Sequence, residues 1–234
     1  MATHEAGARR LPMYVWEAPV RLWHWTMAAC VVTLAITGYF IGTPPPSVPG
    51  EASENFLLGW IRFVHFSTAY VFAVLFLMRV YWAVVGNRFA REIFSPPLLL
   101  SSLSSKRWWG ELIDECLYYA YLGPPARSFR GHDPLAAVAM IFMYVLGAIF
   151  MIVTGFALYG EGLGRESWAY KLFSAWVIPL FGQSQDVHTW HHLGMWYLVI
   201  FSIIHIYIVL RQDVFSDQTV LSTMVNGWRV EKYR

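Results

Sequence analysis

The sequence is short of charge and of cysteine, and each shortage excludes something. Only 14% of its 234 residues are charged, against 57% apolar. Soluble domains carry about 25% charged and about 45–50% apolar residues. The chain therefore falls towards the membrane class, and its mean hydropathy of +0.43 agrees. The formal charge is only +2. No basic run is interleaved with aromatics in a polar segment, so nucleic acid is excluded as a partner. Cysteines number two, Cys30 in an apolar run and Cys116 in a polar stretch, and no disulfide is expected between them. Neither belongs to a Cys-x-x-Cys-His, which excludes covalent haem attachment, and two cysteines cannot hold an iron–sulfur cluster. Low-complexity sequence is confined to a short proline cluster, and no soluble domain is apparent.

What the chain does have is long apolar runs. Four are long enough to cross a bilayer, which needs about 20 helical residues: 22–42, 63–86, 134–159 and 188–210. The first is too long for a signal peptide and no small-residue cleavage pattern follows it, so it reads as a retained helix. Aromatics reach 18%, with twelve Trp, as suits a protein with two lipid–water interfaces. Basic residues fix the direction. Arg9, Arg10, Arg21, Arg88, Arg91, Lys106, Arg107, Arg127, Arg130, Arg211, Arg229, Lys232 and Arg234 fall on the side of the termini. Only Arg62, Arg165 and Lys171 fall on the other. By the positive-inside rule both termini are cytoplasmic. The expected fold is an all-α membrane protein, a single integral membrane domain over 1–234 built as a four-transmembrane-helix bundle.

The connections are not bare linkers. "GTPPPSVPGEASENF" is rich in Pro and Gly and reads as irregular. "SKRWWGELIDECLYYAYLG" reads as an amphipathic helix on the inner surface. "ESWAYKLFSAWVIPLFG" is a candidate for the outer surface, too short for a span and interrupted by Pro179.

The last run, "HTWHHLGMWYLVIFSIIHIYIVLRQ", carries four histidines, and lipid does not tolerate ionisable groups without cause. On the expected topology His24 and His205 lie near the cytoplasmic face, and His65 and His191 near the outer face. Fourteen residues separate His191 from His205. That spacing advances a helix by about 21 Å and returns the side chain to within about 40° of its starting face. His188 and His192 fit that face less well. Two histidines from two helices, twice over, is what a pair of b-type haems requires. The expected axial pairs are His65 with His191 outside and His24 with His205 inside, placing the haems between helices I, II and IV.

Smaller signals accompany the histidines. "ITGYFIG" and "VTGFALYG" place Gly38 and Gly155 near the outer ends of helices I and III. They would make room for the outer haem or serve ordinary close helix packing. Arg79 follows His65 by fourteen residues, as His205 follows His191. It would pair with a propionate of the inner haem or snorkel to the inner surface. His188 and His192 are four apart, but no Glu completes a zinc motif, so they read as outer-surface residues or as contacts to a partner or a propionate. His132, in "GHDPL", reads as an interfacial or capping feature, and His4 as part of a disordered end. A transporter relaying protons through histidines is the rival class; it would favour broken helices and a midplane site, and neither is apparent.

The stretches "EAPVRLWHWTMAACVVTLAITGYFIG", "IRFVHFSTAYVFAVLFLMRVYWAVVGNRFAREIF", "DVHTWHHLGMWYLVIFSIIHIYIVLRQD" and "SDQTVLSTMVNGWR" closely resemble the b-type cytochrome subunit of membrane-bound nickel–iron hydrogenases. That subunit belongs to the bacterial cytochrome b561 and formate dehydrogenase gamma-like superfamily, and the chain is more distantly similar to the cytochrome subunit of formate dehydrogenases. The resemblance runs from about Tyr14 to the C-terminus. It implies haem ligands at His24, His65, His191 and His205, in agreement with the depth argument. It implies two haem b groups, a quinone acceptor, and a place in the inner membrane within a larger hetero-oligomer. The partners would be the iron–sulfur small subunit and nickel–iron large subunit of a hydrogenase on the periplasmic side. The chain itself would not activate hydrogen, for it lacks the cysteines.

Overall fold

A computed structural model describes residues 12–46, 55–92, 102–123, 134–215 and 219–230. The described chain is helical apart from one pair of two-residue strands. In chain order the elements are β1 (Met13–Tyr14), α1 (Ala18–Gly42), α2 (Leu57–Val85), α3 (Arg88–Arg91), α4 (Lys106–Tyr119), α5 (Pro134–Leu163), α6 (Tyr170–Phe181), α7 (Ser184–Phe215), α8 (Leu221–Asn226) and β2 (Trp228–Arg229). Four helices, α1, α2, α5 and α7, are long and apolar enough to cross a membrane. Their most apolar stretches are only 11% to 22% buried. Apolar flanks exposed to that degree call for lipid around them.

Each helix runs past the boundaries that hydropathy marks. The α2 helix starts at Leu57, ahead of Arg62, because an arginine can carry its stem along the helix and its charge to the interface. The α7 helix starts at Ser184, with Asp186 in its first turn, where a carboxylate offsets the positive helix end. Hydropathy records lipid contact, whereas helical hydrogen bonding continues into the interface. Pro134 opens α5 as expected, since a first-turn proline gives up no helical hydrogen bond. Within α5 the backbone widens to a π-helix over Met140–Val145.

Contacts divide the chain into two compact units. The first comprises Met1–Leu22, Trp82–Ala137 and His205–Arg234. Here β1 pairs antiparallel with β2, Met13 opposite Arg229 and Tyr14 opposite Trp228, so the segments near both chain ends share one side. Gly227 makes this junction possible. Its φ is +89°, its carbonyl accepts from Val15 N–H at 2.8 Å, and a Cβ there would meet Trp16 O at 2.6 Å. Val15, Trp16, Val20, Phe89 and Ala90 form the apolar core. Glu17 joins the parts by accepting from Trp82 Nε1 at 3.0 Å and Asn87 N–H at 2.8 Å. The amphipathic segment does form a helix, α4, whose first turn is capped by Ser105. The buried Glu115 of α4 accepts from Leu135 N–H at 3.1 Å, satisfying a donor at the start of α5. Arg211 of α7 donates to Tyr118 O and Tyr207 OH, with its guanidinium over the rings of Tyr118 and Tyr121.

The second unit comprises Trp23–Tyr81 and Val138–Ile204. Helices α5 and α7 meet closely through Gly194, where a Cβ would come within 2.6 Å of Met151 Sδ, and Gly147, set against Tyr197 and Leu198. The α6 segment is folded onto α5 by a bond from Ser174 Oγ to Ala157 O at 2.6 Å. Ala157, Val177 and Val187 are the core of that corner. Rings of Phe66, Tyr70, Phe156, Tyr159 and Phe173 tie α2, α5 and α6 together.

Candidate functional site

His65 and His191 both lie in the second unit, half-buried, and each is held in the same way. Thr37 of α1 stands 2.8 Å from His65 Nδ1. Thr154 of α5 stands 2.8 Å from His191 Nδ1. Each threonine hydroxyl also donates to a carbonyl one turn earlier, Thr33 O and Phe150 O, at 2.7 Å in both cases. A hydroxyl has one proton. With that proton on the carbonyl, Oγ1 can only accept from the imidazole, so both bonds are made together when Nδ1 carries the hydrogen. The lone pair is then on Nε2 of both rings. An imidazole held through one nitrogen and bare at the other is the form that binds a metal.

The glycine after each threonine completes the arrangement. A Cβ at Gly38 would lie 3.3 Å from His65 Cε1, and one at Gly155 would lie 3.2 Å from His191 Cε1. These glycines therefore make room for the imidazoles. Gly38 also faces Met195 Sδ at 3.7 Å, one turn beyond His191 on α7, so α1, α2 and α7 converge here. Thr37-Gly38 with His65 and Thr154-Gly155 with His191 form an internal repeat: helix pair α1 and α2 does what α5 and α7 do.

Among the described residues no group of three or more His, Cys, Asp or Glu side chains could hold a metal ion. A bare zinc ion, which takes four ligands or three with a water, is poorly served. A haem iron brings four porphyrin nitrogens and asks the protein for one or two more, so one imidazole from each of two helices fits it. His192 is occupied otherwise: its Nε2 accepts from Trp196 Nε1 at 3.3 Å and its ring faces Gly42. His188 is exposed.

His24 is half-buried on α1, edge-on to Trp25 at 5.1 Å. His205 is half-buried on α7, fourteen residues beyond His191. They fall in different units, so the inner pair rests on spacing and not on a contact. Arg79 is buried, 3% exposed, with its guanidinium 5.5 Å from the Trp23 ring centroid. A residue buried to that degree has not snorkelled to water. Cys30 and Cys116 are both free. His4 and His132 lie outside the described residues. The residues that sequence reasoning missed are Thr37 and Thr154; the Thr-Gly pairs drew notice, but through their glycines.

The family model described as prokaryotic cytochrome b561 matches residues 15–227. A protein of Azotobacter vinelandii described as a probable Ni/Fe-hydrogenase B-type cytochrome subunit is 56% identical over 97% of this chain and 92% of its own length. Relatives with the same description include one from Cupriavidus necator, 53% identical over 94% of the chain and 87% of its own length. A probable Ni/Fe-hydrogenase 1 B-type cytochrome subunit of Escherichia coli strain K12 is 47% identical over 94% of the chain and 92% of its own length.

Proposed function

The chain belongs to the prokaryotic cytochrome b561 family, and from that premise we propose that it is the membrane-embedded, di-haem b-type cytochrome of a nickel–iron hydrogenase complex. The observation that carries the proposal is the matched setting of His65 and His191, each fixed at Nδ1 by a helical threonine with Nε2 left to bind iron. The names of the relatives support hydrogenase rather than formate dehydrogenase as the complex. When bound, two haem b groups supply one-electron carriage through the lipid, from hydrogen oxidation by iron–sulfur and nickel–iron subunits on the periplasmic face to a membrane quinone.

The residues of the chain do the rest. His65 and His191 hold the outer iron, and Thr37 and Thr154 set their tautomer and orientation. His24 and His205 hold the inner iron, a pairing supported by the fourteen-residue spacing on α7. Arg79 neutralises a haem propionate. Both termini lie in the cytoplasm of a cell whose inner membrane holds the four spans. The basic residues on that side support this, and the pairing of β1 with β2 supports the two end segments lying on one side. Protons for the reduced quinone are drawn from that same side.

The complex reconstituted in sealed vesicles tests this reading. Hydrogen-driven quinone reduction should give a reduced b-type spectrum and build a transmembrane potential. Quinone reduction without a potential would place the quinone on the outer side and refute the inward path.

A further inference from the structure

The segment after α5 turns back along its flank, all within the second unit. Phe150, Val153, Ala157 and Gly160 stand three or four residues apart on α5, a spacing that puts them on one side of the helix. Each of them meets α6 or the residue before it. The rings of Phe150 and Phe181 have centroids 6.3 Å apart, and Val153 packs against the cluster of Ala157, Val177 and Val187. Ser174 Oγ donates to Ala157 O at 2.6 Å, and a Cβ at Gly160 would lie 2.5 Å from Tyr170 N. The α6 helix therefore covers a side of α5 and not its tip. The 30 residues of α5 make a rod of about 45 Å against a hydrocarbon core of about 30 Å. Ala157, six residues before the end at Leu163, lies about 9 Å down that rod. That is the level of the hydrocarbon boundary, and Phe150 lies well inside it.

The side of α6 turned away from α5 is a row of large apolar residues. Trp168, Leu172, Trp176 and Leu180 are between 47% and 70% exposed, while Ala169, Ser174 and Val177 between them are buried. Residues four apart drift by about 40° per step round an α-helix. The π-helical turn over Tyr170–Ser174 is wider, because its bonds run from i to i+5, and it holds the row straighter.

Depth and polar inventory decide what covers this row. Leu172 and Leu180 carry no polar side-chain atom, and Trp176 Nε1 donates to Leu172 O at 2.8 Å within its own helix. Lys171, beside the row, is paired with Glu166 at 2.9 Å. A partner protein would find almost no hydrogen bond here, although protein interfaces carry about one per 100–200 Å². Acyl chains need none. The row also continues the lipid-facing surface of the spans. Ile149, next to Phe150, is exposed, as is Trp190 of α7, whose ring centroid lies 6.3 Å from that of Phe181. Tryptophan, moreover, collects at the boundary between acyl chains and headgroups.

We infer that α6 is sunk in the lipid, with Trp168, Leu172, Trp176 and Leu180 set against the acyl chains at the boundary of the outer leaflet. The inference rests on the spanning helices; it takes from the proposed function only which leaflet is the outer one, and its test does not depend on haem.

The test is electron paramagnetic resonance of the complete complex in phospholipid vesicles, with a nitroxide label on Leu172→Cys. The background carries Cys116→Ser, since Cys116 is an exposed free thiol and Cys30 is buried. Leu180→Cys is the second position, should the first variant be lost from the membrane. Oxygen, which concentrates in lipid, should relax the label, and relaxation by a water-soluble nickel chelate should be lost. Relaxation by the nickel chelate would place the row in water and overturn the inference. Protection from both agents would place a protein over the row, a partner subunit or a second copy of the chain, and overturn it as well.

Discussion

Replacing Thr154 by Val keeps the shape of the side chain and removes one oxygen, which isolates the bond to His191. Thr154 is 1% exposed and its Oγ1 lies 2.8 Å from Nδ1, so no water is positioned to replace it. A hydrogen bond of this kind contributes about 0.5–1.5 kcal/mol net, and the stranded Nδ1–H costs about 1–3 kcal/mol. Outer-shell partners of metal-bound histidines are worth roughly 10–100-fold in metal affinity. On the di-haem reading, the Thr154→Val protein should therefore release one haem about 10–100-fold more readily. The potential should move too. An acceptor on Nδ1–H makes Nε2 a stronger donor to ferric iron, so its loss raises the midpoint potential of that haem. Thr154→Ser keeps the hydroxyl and should restore both properties. Thr37→Val should reproduce the effect on the same haem through His65. The assay is a redox titration with haem retention followed by absorbance during exposure to a haem-scavenging apoprotein. Unchanged potential and retention in Thr154→Val would refute the tautomer argument.

Other predictions follow from close contacts. In Gly155→Ala the new Cβ would sit 3.2 Å from His191 Cε1, and in Gly38→Ala 3.3 Å from His65 Cε1; relief requires ring shifts of a few tenths of an ångström, since carbon contacts are optimal at about 3.5–4.0 Å. Both variants should alter the electron paramagnetic resonance signal of one and the same haem, and effects on two different haems would break the His65 and His191 pair. Gly227→Ala forces a left-handed residue against Trp16 O at 2.6 Å; at about 1–3 kcal/mol for such strain, it should expose the C-terminal segment to protease while leaving both haem spectra intact. Undiminished resistance to protease would show that the β1–β2 junction is not held by this turn.

The parts of the fold legible in the sequence were those that lipid imposes. Four apolar runs could only be spanning helices, and a histidine inside one is conspicuous because burying its charge is costly. Local chemistry was readable as well: the α4 helix announced itself through its amphipathic pattern, and α5 through Pro134. The β1–β2 pair was not legible, because two-residue strands at opposite ends of the chain carry no local signal. Nor was the threonine contact. A helical threonine ordinarily bonds its own preceding turn, as Thr37 and Thr154 both do. Only the fold brings an imidazole to the remaining lone pair. The π-helical stretch at Met140–Val145 is equally silent, since no proline or glycine marks it. Arg79 was readable as a charge in a span, but its neighbours Trp23 and Tyr144 come from other helices and had to be seen in space.

The most direct test is the haem-to-polypeptide ratio of the wild-type protein and of His24→Ala, His65→Ala, His191→Ala and His205→Ala. The account predicts two haems in wild type, loss of one and the same haem in the His65 and His191 variants, and loss of the other in the His24 and His205 variants. A wild-type ratio of one, or a His205→Ala protein that keeps both haems, would contradict it.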